Sequence, residues 1–241
     1  MKSISSLQEL LSKHQASFDP IVPFQPGSDK IIALDFTTDN KELTKDIFTN
    51  TTIFIEYIDK KLKKANALYG IGGYGEHRTI YSMSQVFDAG QPDEEPRRLH
   101  LGLDIWGKST TCIMAPFDGT VHSFAFNNQL GDYGATIILS HVLEGETFYS
   151  LYGHLSLNSI LNLQQGKKIA AGEVFASFGI PAENGQWPPH LHFQLIQDIG
   201  NWNGDYPGVC KFSEKDRWLA NSPDPEIILQ LRKFIPANNQ F

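Results

Sequence analysis

The spacing of apolar residues predicts helices near both ends of the chain. Residues 3–15 place apolar side chains at helical intervals, which predicts a short amphipathic helix. A second helix is predicted over 42–65 and a closing helix over 225–234, each with apolar positions on one face. Between the first two helices, the β-branched and apolar run at 31–36 predicts a strand, because turn-forming residues bound it on both sides.

From residue 69 to about 198, short apolar runs alternate with glycine-containing turns. This spacing predicts strands joined by tight turns, in an antiparallel sheet or a flattened barrel. The predicted fold class is therefore mainly β with an N-terminal α+β extension. We predict an extension at 1–65 without catalytic residues, a β domain at 66–200 that carries the chemistry, and a C-terminal tail at 201–241 that ends in the closing helix.

Four glycines fall between residues 70 and 75. This run has neither the lysine and Ser/Thr of a phosphate-binding loop nor the strand-to-helix setting of a dinucleotide site. A mobile loop beside a cleft is the interpretation we prefer, because glycine lowers the cost of unusual backbone angles.

Composition and charge narrow the possible partners. An apolar content of 41% and a charged content of 20% are typical of a globular protein. The formal charge of -7 argues against a nucleic-acid partner, since such proteins usually present a basic face. Cys112 and Cys210 are too far apart in sequence for a C-x-x-C pair. Without an N-terminal apolar stretch or a run of ~20 apolar residues, we expect a soluble, cytoplasmic protein with no membrane partner.

Two pairs of residues suggest a metal site. His190 and His192 are two apart, so in a strand both address the same face. His100 and Asp104 are four apart and would diverge on a straight strand, but Gly102 between them permits a bend. Two histidines and a carboxylate with one open position form a catalytic zinc shell. Spacing alone leaves ordinary, hydrogen-bonded histidines equally open, and we assign His122 and His141, which lie outside these pairs, to structure or surface.

Several segments then resemble the lysostaphin and LytM type of zinc metallopeptidase, family 23 of the metallopeptidases. The resemblance covers roughly residues 70–197. It rests mainly on three motifs in order, His-Leu-Gly-Leu-Asp at 100–104, Tyr-Gly-His-Leu-Ser at 152–156 and Pro-His-Leu-His-Phe at 189–193. The resemblance implies a duplicated hybrid motif fold, with a narrow groove floored by an antiparallel sheet.

The family pattern implies a role for each matching residue. It makes His100, Asp104 and His192 the metal ligands, with Zn²⁺ as cofactor, and His154 and His190 the catalytic pair. The implied activity is that of a zinc-dependent hydrolase, a metalloendopeptidase or amidase that uses metal-activated water on a peptide or small amide.

Substrate choice is less constrained. Tyr133, Trp187 and Arg78 are the candidate substrate-binding residues. A core position for the two aromatic residues, and a local ion pair between Arg78 and Glu76, stay equally open. The loop at 183–189 is bulkier and stiffer than the small-residue loop typical of the family members that cut cell-wall cross-bridges. Two alternatives therefore stay open, a catalytically silent module that binds a ligand or partner in its metal groove, and a hydrolase of an intracellular metabolite.

Overall fold

The structure is a computed structural model that describes residues 4–88 and 94–236. Its α-helices are α1 (Ile4–Lys13), α2 (Lys45–Phe48), α3 (Thr51–Ala65), α4 (Lys215–Asn221) and α5 (Glu226–Leu229). Short 3₁₀ helices cover Gln15–Ser17, Ile80–Met83, Leu157–Ser159, Phe212–Glu214 and Arg232–Phe234. No helix within the described ranges combines the length and apolarity needed to cross a membrane.

Two predicted helices are interrupted. The helix expected over 42–65 becomes α2 and α3, because the Asn50 side chain accepts hydrogen bonds from the backbone N–H groups of Thr52 and Ile53 and caps α3. The closing helix expected over 225–234 ends early. Gln230 adopts a left-handed conformation with φ 49°, and a 3₁₀ turn follows.

The strands are short before residue 115 and long in the middle of the chain. They are β1 (Ile31–Leu34), β2 (Tyr69–Gly72), β3 (Leu99–His100), β4 (Leu103–Trp106), β5 (Cys112–Met114), β6 (Gly119–Asn127), β7 (Gly134–Leu143), β8 (Glu146–Leu155), β9 (Lys168–Ile169), β10 (Val174–Ser177), β11 (His190–Ile196) and β12 (Val209–Cys210).

Within the described residues, eight strands form one open sheet in the order β1-β2-β4-β11-β8-β7-β6-β9. Only the β1–β2 pair is parallel, and the other neighbours in this sheet are antiparallel. The mainly β prediction is confirmed. The prediction allowed an antiparallel sheet or a flattened barrel, and the structure has an open sheet that does not close into a barrel.

Alternation along the central strands separates the core from the site. Leu191, Phe193 and Leu195 of β11 point into the main hydrophobic core. His190 and His192, between them, point to the opposite face, as the period of two requires. Strand β4 repeats this pattern, with Leu103 and Ile105 in the core.

The N-terminal region adds its strand directly to the sheet. Ile31 of β1 pairs with Tyr69 of β2, and Leu7 and Leu11 of α1 pack in the main core. Ile228, from the C-terminal tail, reaches the same core. The division at residues 65 and 200 stays a prediction, and residues 1–3 and 237–241 lie outside the described residues.

His141 on β7 leads to a prediction about acid stability. It is buried, with Nδ1 2.8 Å from the carbonyl oxygen of Asp118 and Nε2 2.7 Å from Oγ of Ser150. Burial lowers its pKa to about 4. The folded state thus favours the neutral ring, and its contribution is complete above the unfolded pKa of ~6.5 and is lost as the pH falls to about 4.

We therefore expect His141→Gln to flatten the acid limb of the stability profile. The difference in unfolding free energy between wild type and variant should shrink by roughly 3 kcal/mol between pH 7 and pH 4, at ~1.4 kcal/mol per pKa unit. Urea unfolding at several pH values measures this. A difference that stays constant across that range would show that His141 does not titrate as described.

Candidate metal centre

A bend in the chain brings His100 and Asp104 together. His100 ends β3, which pairs with β12, whereas Asp104 lies in β4 of the large sheet. Gly102 sits at the change of direction. A Cβ atom there would lie 2.5 Å from Cε1 of His192, so no larger residue fits without displacing that ring. The bend expected at Gly102 is present, and the close approach of the His192 ring requires glycine there.

Asp104 and His192 are direct cross-strand partners. Gly72 and Gly153 occupy the next positions in the same row of the sheet. A Cβ on Gly72 would lie 2.7 Å from the Arg78 guanidinium, and one on Gly153 would lie 2.5 Å from the ring of Tyr133. The glycines therefore leave room for larger side chains beside the pair. Part of the loop expected over 70–75 is strand, since Gly72 ends β2.

Three donor atoms converge on one point. Nε2 of His100 lies 2.9 Å from Nδ1 of His192 and 3.2 Å from Oδ1 of Asp104. Nδ1 of His192 lies 3.1 Å from the same oxygen. Ligands about 2.1 Å from a tetrahedral zinc ion lie ~3.4 Å apart, so the triangle fits zinc after a small expansion. The donor set, two imidazoles and a carboxylate, suits that ion.

Hydrogen bonds behind the rings fix which nitrogen is free. Nδ1 of His100 lies 2.9 Å from the carbonyl oxygen of Gly73, which accepts its proton and leaves Nε2 for a metal. Nε2 of His192 lies 3.0 Å from Oε1 of Gln194, which leaves Nδ1. The Gln194 amide in turn donates to Oγ of Ser222, so the C-terminal tail helps to orient His192.

The other two histidines stand beside this triangle. The rings of His154 and His190 lie 4.1 Å apart, centroid to centroid. Each Nδ1 lies 2.8 Å from a backbone carbonyl oxygen, that of Asn184 for His154 and that of Pro188 for His190. Each ring therefore keeps Nε2 as its basic nitrogen. The His190 ring also stacks on Trp106, at 3.8 Å between centroids.

His154 reaches the site through an irregular backbone. Its φ is 63°, a left-handed conformation that is strained for histidine. The β7–β8 register shifts between Ala135 and Ile137, at the same place. This irregularity turns His154 towards His190. Backbone strain of this kind is common where a side chain must be aimed at a site.

Burial favours the neutral form of His100, His154 and His190. It lowers the pKa of His100 and that of His190 to about 4, and it lowers the pKa of His154 well below its usual range. Burial raises the pKa of Asp104, but His100 and Arg78 lower it by more, so the pKa lies well below its ordinary value. Neutral imidazoles and an ionised carboxylate are the protonation states that metal binding needs.

Arg78 lies behind Asp104, and only 1% of its surface is exposed. Its Nη1–H donates to Oδ2 of Asp104 over 2.5 Å, and its Nε–H donates to Oε2 of Glu76 over 2.6 Å. Burial raises the pKa of Glu76, which Arg78 opposes. The substrate-binding role of Arg78 stays a prediction, and its observed neighbours are these two carboxylates.

Tyr133 and Trp187 line the cleft in front of the triangle. The ring centroid of Tyr133 lies 5.1 Å from that of His192. Trp187 is 3% exposed and packs edge-on against Phe54 of α3 and against His190. Their substrate contacts stay a prediction. The indole of Trp187 has a packing role besides.

The sequence analysis assigned no role to several residues of the site. Asn184 is fully buried, and its amide donates to the Trp187 carbonyl while its own carbonyl orients His154. The C-terminal tail supplies Trp202 and Asp205, which also line the cleft. Asn184 could have been found because it lies five residues before the motif at 189–193. Nothing in the sequence places the C-terminal tail beside the cleft.

Comparisons with known proteins show what the chain is similar to. Residues 98–204 match the family model described as peptidase family M23. A Haemophilus influenzae protein described as an uncharacterized metalloprotease is 32% identical over 98 residues, which are 41% of this chain and 18% of that protein. The chain therefore spans less than a fifth of that relative.

Solved structures give matches of lower identity. A zinc-containing peptidase from Vibrio cholerae is 22% identical, with a TM-score of 0.34, over 45% of this chain and 30% of that chain. The catalytic domain of the antimicrobial peptidase lysostaphin from Staphylococcus simulans is 19% identical, with a TM-score of 0.36, over 68% of this chain and 96% of that domain.

Proposed function

Because residues 98–204 belong to peptidase family M23, we propose that the chain is a zinc-dependent hydrolase that cleaves an amide bond in a peptide or a small amide. The observation that carries the proposal is the convergence of His100, Asp104 and His192, whose donor atoms lie within 3.2 Å of one another. His154 and His190 lie beside them on the same cleft.

The three ligands would hold the ion through Nε2 of His100, Oδ1 of Asp104 and Nδ1 of His192. Bound zinc supplies Lewis acidity, which polarises a carbonyl and makes water a better nucleophile at neutral pH. With one carboxylate and two neutral imidazoles, the ligand set carries one negative charge. The site therefore keeps the net positive charge that this chemistry requires.

His154 and His190 would handle protons and developing charge. Each has Nδ1–H tied to a backbone carbonyl, so each offers Nε2 towards the cleft. One ring can accept a proton from water and hand it to the departing amine, while the other donates a hydrogen bond to the oxygen on which charge develops. The stacking of His190 on Trp106 holds that ring in place for either task.

The cleft is lined by largely buried side chains. Asp104, His154, His190 and His192 line it together with Tyr133 and Trp187, and all six are at most 9% exposed. The loop at 183–189 is held by Asn184, whose Oδ1 accepts the backbone N–H of Trp187. Because this loop is bulkier and stiffer than the small-residue loop typical of the cell-wall enzymes, it supports a substrate other than a cell-wall cross-bridge.

Peptide hydrolysis with and without metal tests the proposal. Purified protein would be incubated with a panel of glycyl and D-alanyl peptides, and new amino groups would be quantified. We expect turnover of at least one peptide, its loss on chelation and its recovery with added zinc. Peptide binding without turnover in the zinc-loaded protein would favour the silent binding module instead.

A further inference from the structure

We propose that the N-terminal extension helps to position a metal ligand. Phe36 of the extension holds Glu76 and Arg78 in place, and Arg78 orients Asp104 so that it offers zinc a single oxygen. This inference rests on the proposed zinc centre. Phe36, Glu76 and Arg78 all precede the segment that matches the family model.

Arg78 occupies the second oxygen of Asp104. Its Nη1–H donates to Oδ2 over 2.5 Å, whereas Oδ1 faces His100 and His192. A carboxylate whose second oxygen is held in this way cannot turn both oxygens to the same ion. Arg78 thereby sets both the direction of Asp104 and the number of oxygens it offers.

The same guanidinium supports a second ligand. Its Nη2–H donates to the carbonyl oxygen of Gly73 over 3.2 Å, and that carbonyl also accepts the Nδ1–H of His100 over 2.9 Å. Close approach of the guanidinium requires Gly72, where a Cβ would lie 2.7 Å from Nη2. Arg78 is therefore a positioning residue for Asp104 and, through Gly73, for His100.

Glu76 balances the charge of Arg78. A lone guanidinium beside the site would repel a divalent cation, but the Glu76 carboxylate lies 2.6 Å from Nε of Arg78. Glu76, Arg78 and Asp104 together carry one negative charge, the same as Asp104 alone. The arrangement orients the ligand without lowering the negative charge that attracts zinc.

Phe36 connects this group to the extension. Its backbone N–H donates to Oε1 of Glu76 over 3.3 Å, and its ring lies under the guanidinium, 5.1 Å from Cζ of Arg78. The ring also packs against Trp106, 5.0 Å between centroids, and Trp106 stacks on His190. Phe36 therefore contacts Arg78, which orients Asp104, and Trp106, which stacks on His190.

The main test replaces the ion pair without changing the net charge. The double variant Glu76→Gln with Arg78→Met removes one negative and one positive charge, so the group still carries a single negative charge. We expect its zinc affinity, measured by competition with a coloured chelator, to fall about 10- to 100-fold. The single variant Arg78→Lys keeps the positive charge but not the planar guanidinium. We expect its zinc affinity to lie between that of the wild type and that of the double variant.

Cobalt substitution reports the coordination directly. If Asp104 gains a free second oxygen, the coordination number rises, and the visible absorption per bound cobalt should weaken in the double variant. A loss of general packing alone would not change this absorption.

A matched pair of core variants tests the extension. Phe36→Leu and Phe54→Leu each remove a ring from the same buried cluster, but of the two only Phe36 lies over the guanidinium. We expect weaker zinc binding and an altered cobalt spectrum for Phe36→Leu, and wild-type values for Phe54→Leu.

Each outcome decides the matter. Zinc affinity and cobalt absorption equal to wild type in the double variant would overturn the inference and leave the proposed function intact. If that variant does not fold, Arg78→Lys and the phenylalanine pair give the same decision, and identical results for Phe36→Leu and Phe54→Leu would overturn it. A wild-type protein that binds no zinc would overturn the inference together with the proposed function.

Discussion

Replacing Asp104 by asparagine should weaken zinc binding by at least about a hundredfold. Structural zinc sites with a full ligand set contribute ~10–16 kcal/mol, so one anionic ligand accounts for roughly 3 kcal/mol or more. The asparagine side chain keeps the size of the group and loses its charge. Calorimetric titration of the metal-free protein with zinc would measure the change.

Asp118→Asn is the matched control. Oδ1 of Asp118 accepts the backbone N–H of Ala171, near the β9 edge of the sheet, whereas Asp104 lies in the interior strand β4. The same chemical change there should leave zinc affinity as in wild type. Equal zinc affinity in Asp104→Asn and Asp118→Asn would remove Asp104 from the ligand set.

Replacing His154 by asparagine should remove most of the activity and spare the metal. Asparagine tolerates the left-handed backbone at this position, where φ is 63°, better than most residues do. Loss of a positioned acid–base group costs ~10²–10⁴-fold. We therefore expect kcat/KM on a cleaved peptide to fall by about that factor, with zinc still bound one to one.

The control is the same change at a histidine outside the cleft. His122→Asn alters a partly buried histidine of β6 whose Nδ1 lies 2.8 Å from Oγ of Ser123. Activity and zinc content should both match wild type. If His154→Asn lost zinc as fully as Asp104→Asn, His154 would have to be counted among the ligands.

The sequence predicts those parts of the site that depend on local geometry. His190 and His192 share a face because a strand has a period of two, and Gly102 permits the bend that brings His100 and Asp104 together. The core strands were predictable for the same reason. Each of these features is set within five residues of chain.

The remaining features depend on contacts between distant segments. Arg78 bonds Asp104 across 26 residues, and Gln194 bonds Ser222 across 28. The position of His154 requires a register shift between β7 and β8, which no spacing rule reveals. Its assignment rested on the motif resemblance. The parallel pairing of β1 with β2, which brings Phe36 to the site, was likewise not visible in the alternation of apolar residues.

Elemental analysis of the untagged, purified protein tests the central claim most directly. Three buried donor atoms within 3.2 Å of one another should retain close to one zinc ion per chain, or bind one ion tightly after chelation and dialysis. We expect that stoichiometry in wild type and its loss in His100→Ala. A wild-type protein that carries no transition metal, and that binds added zinc no more tightly than His100→Ala does, would contradict the account.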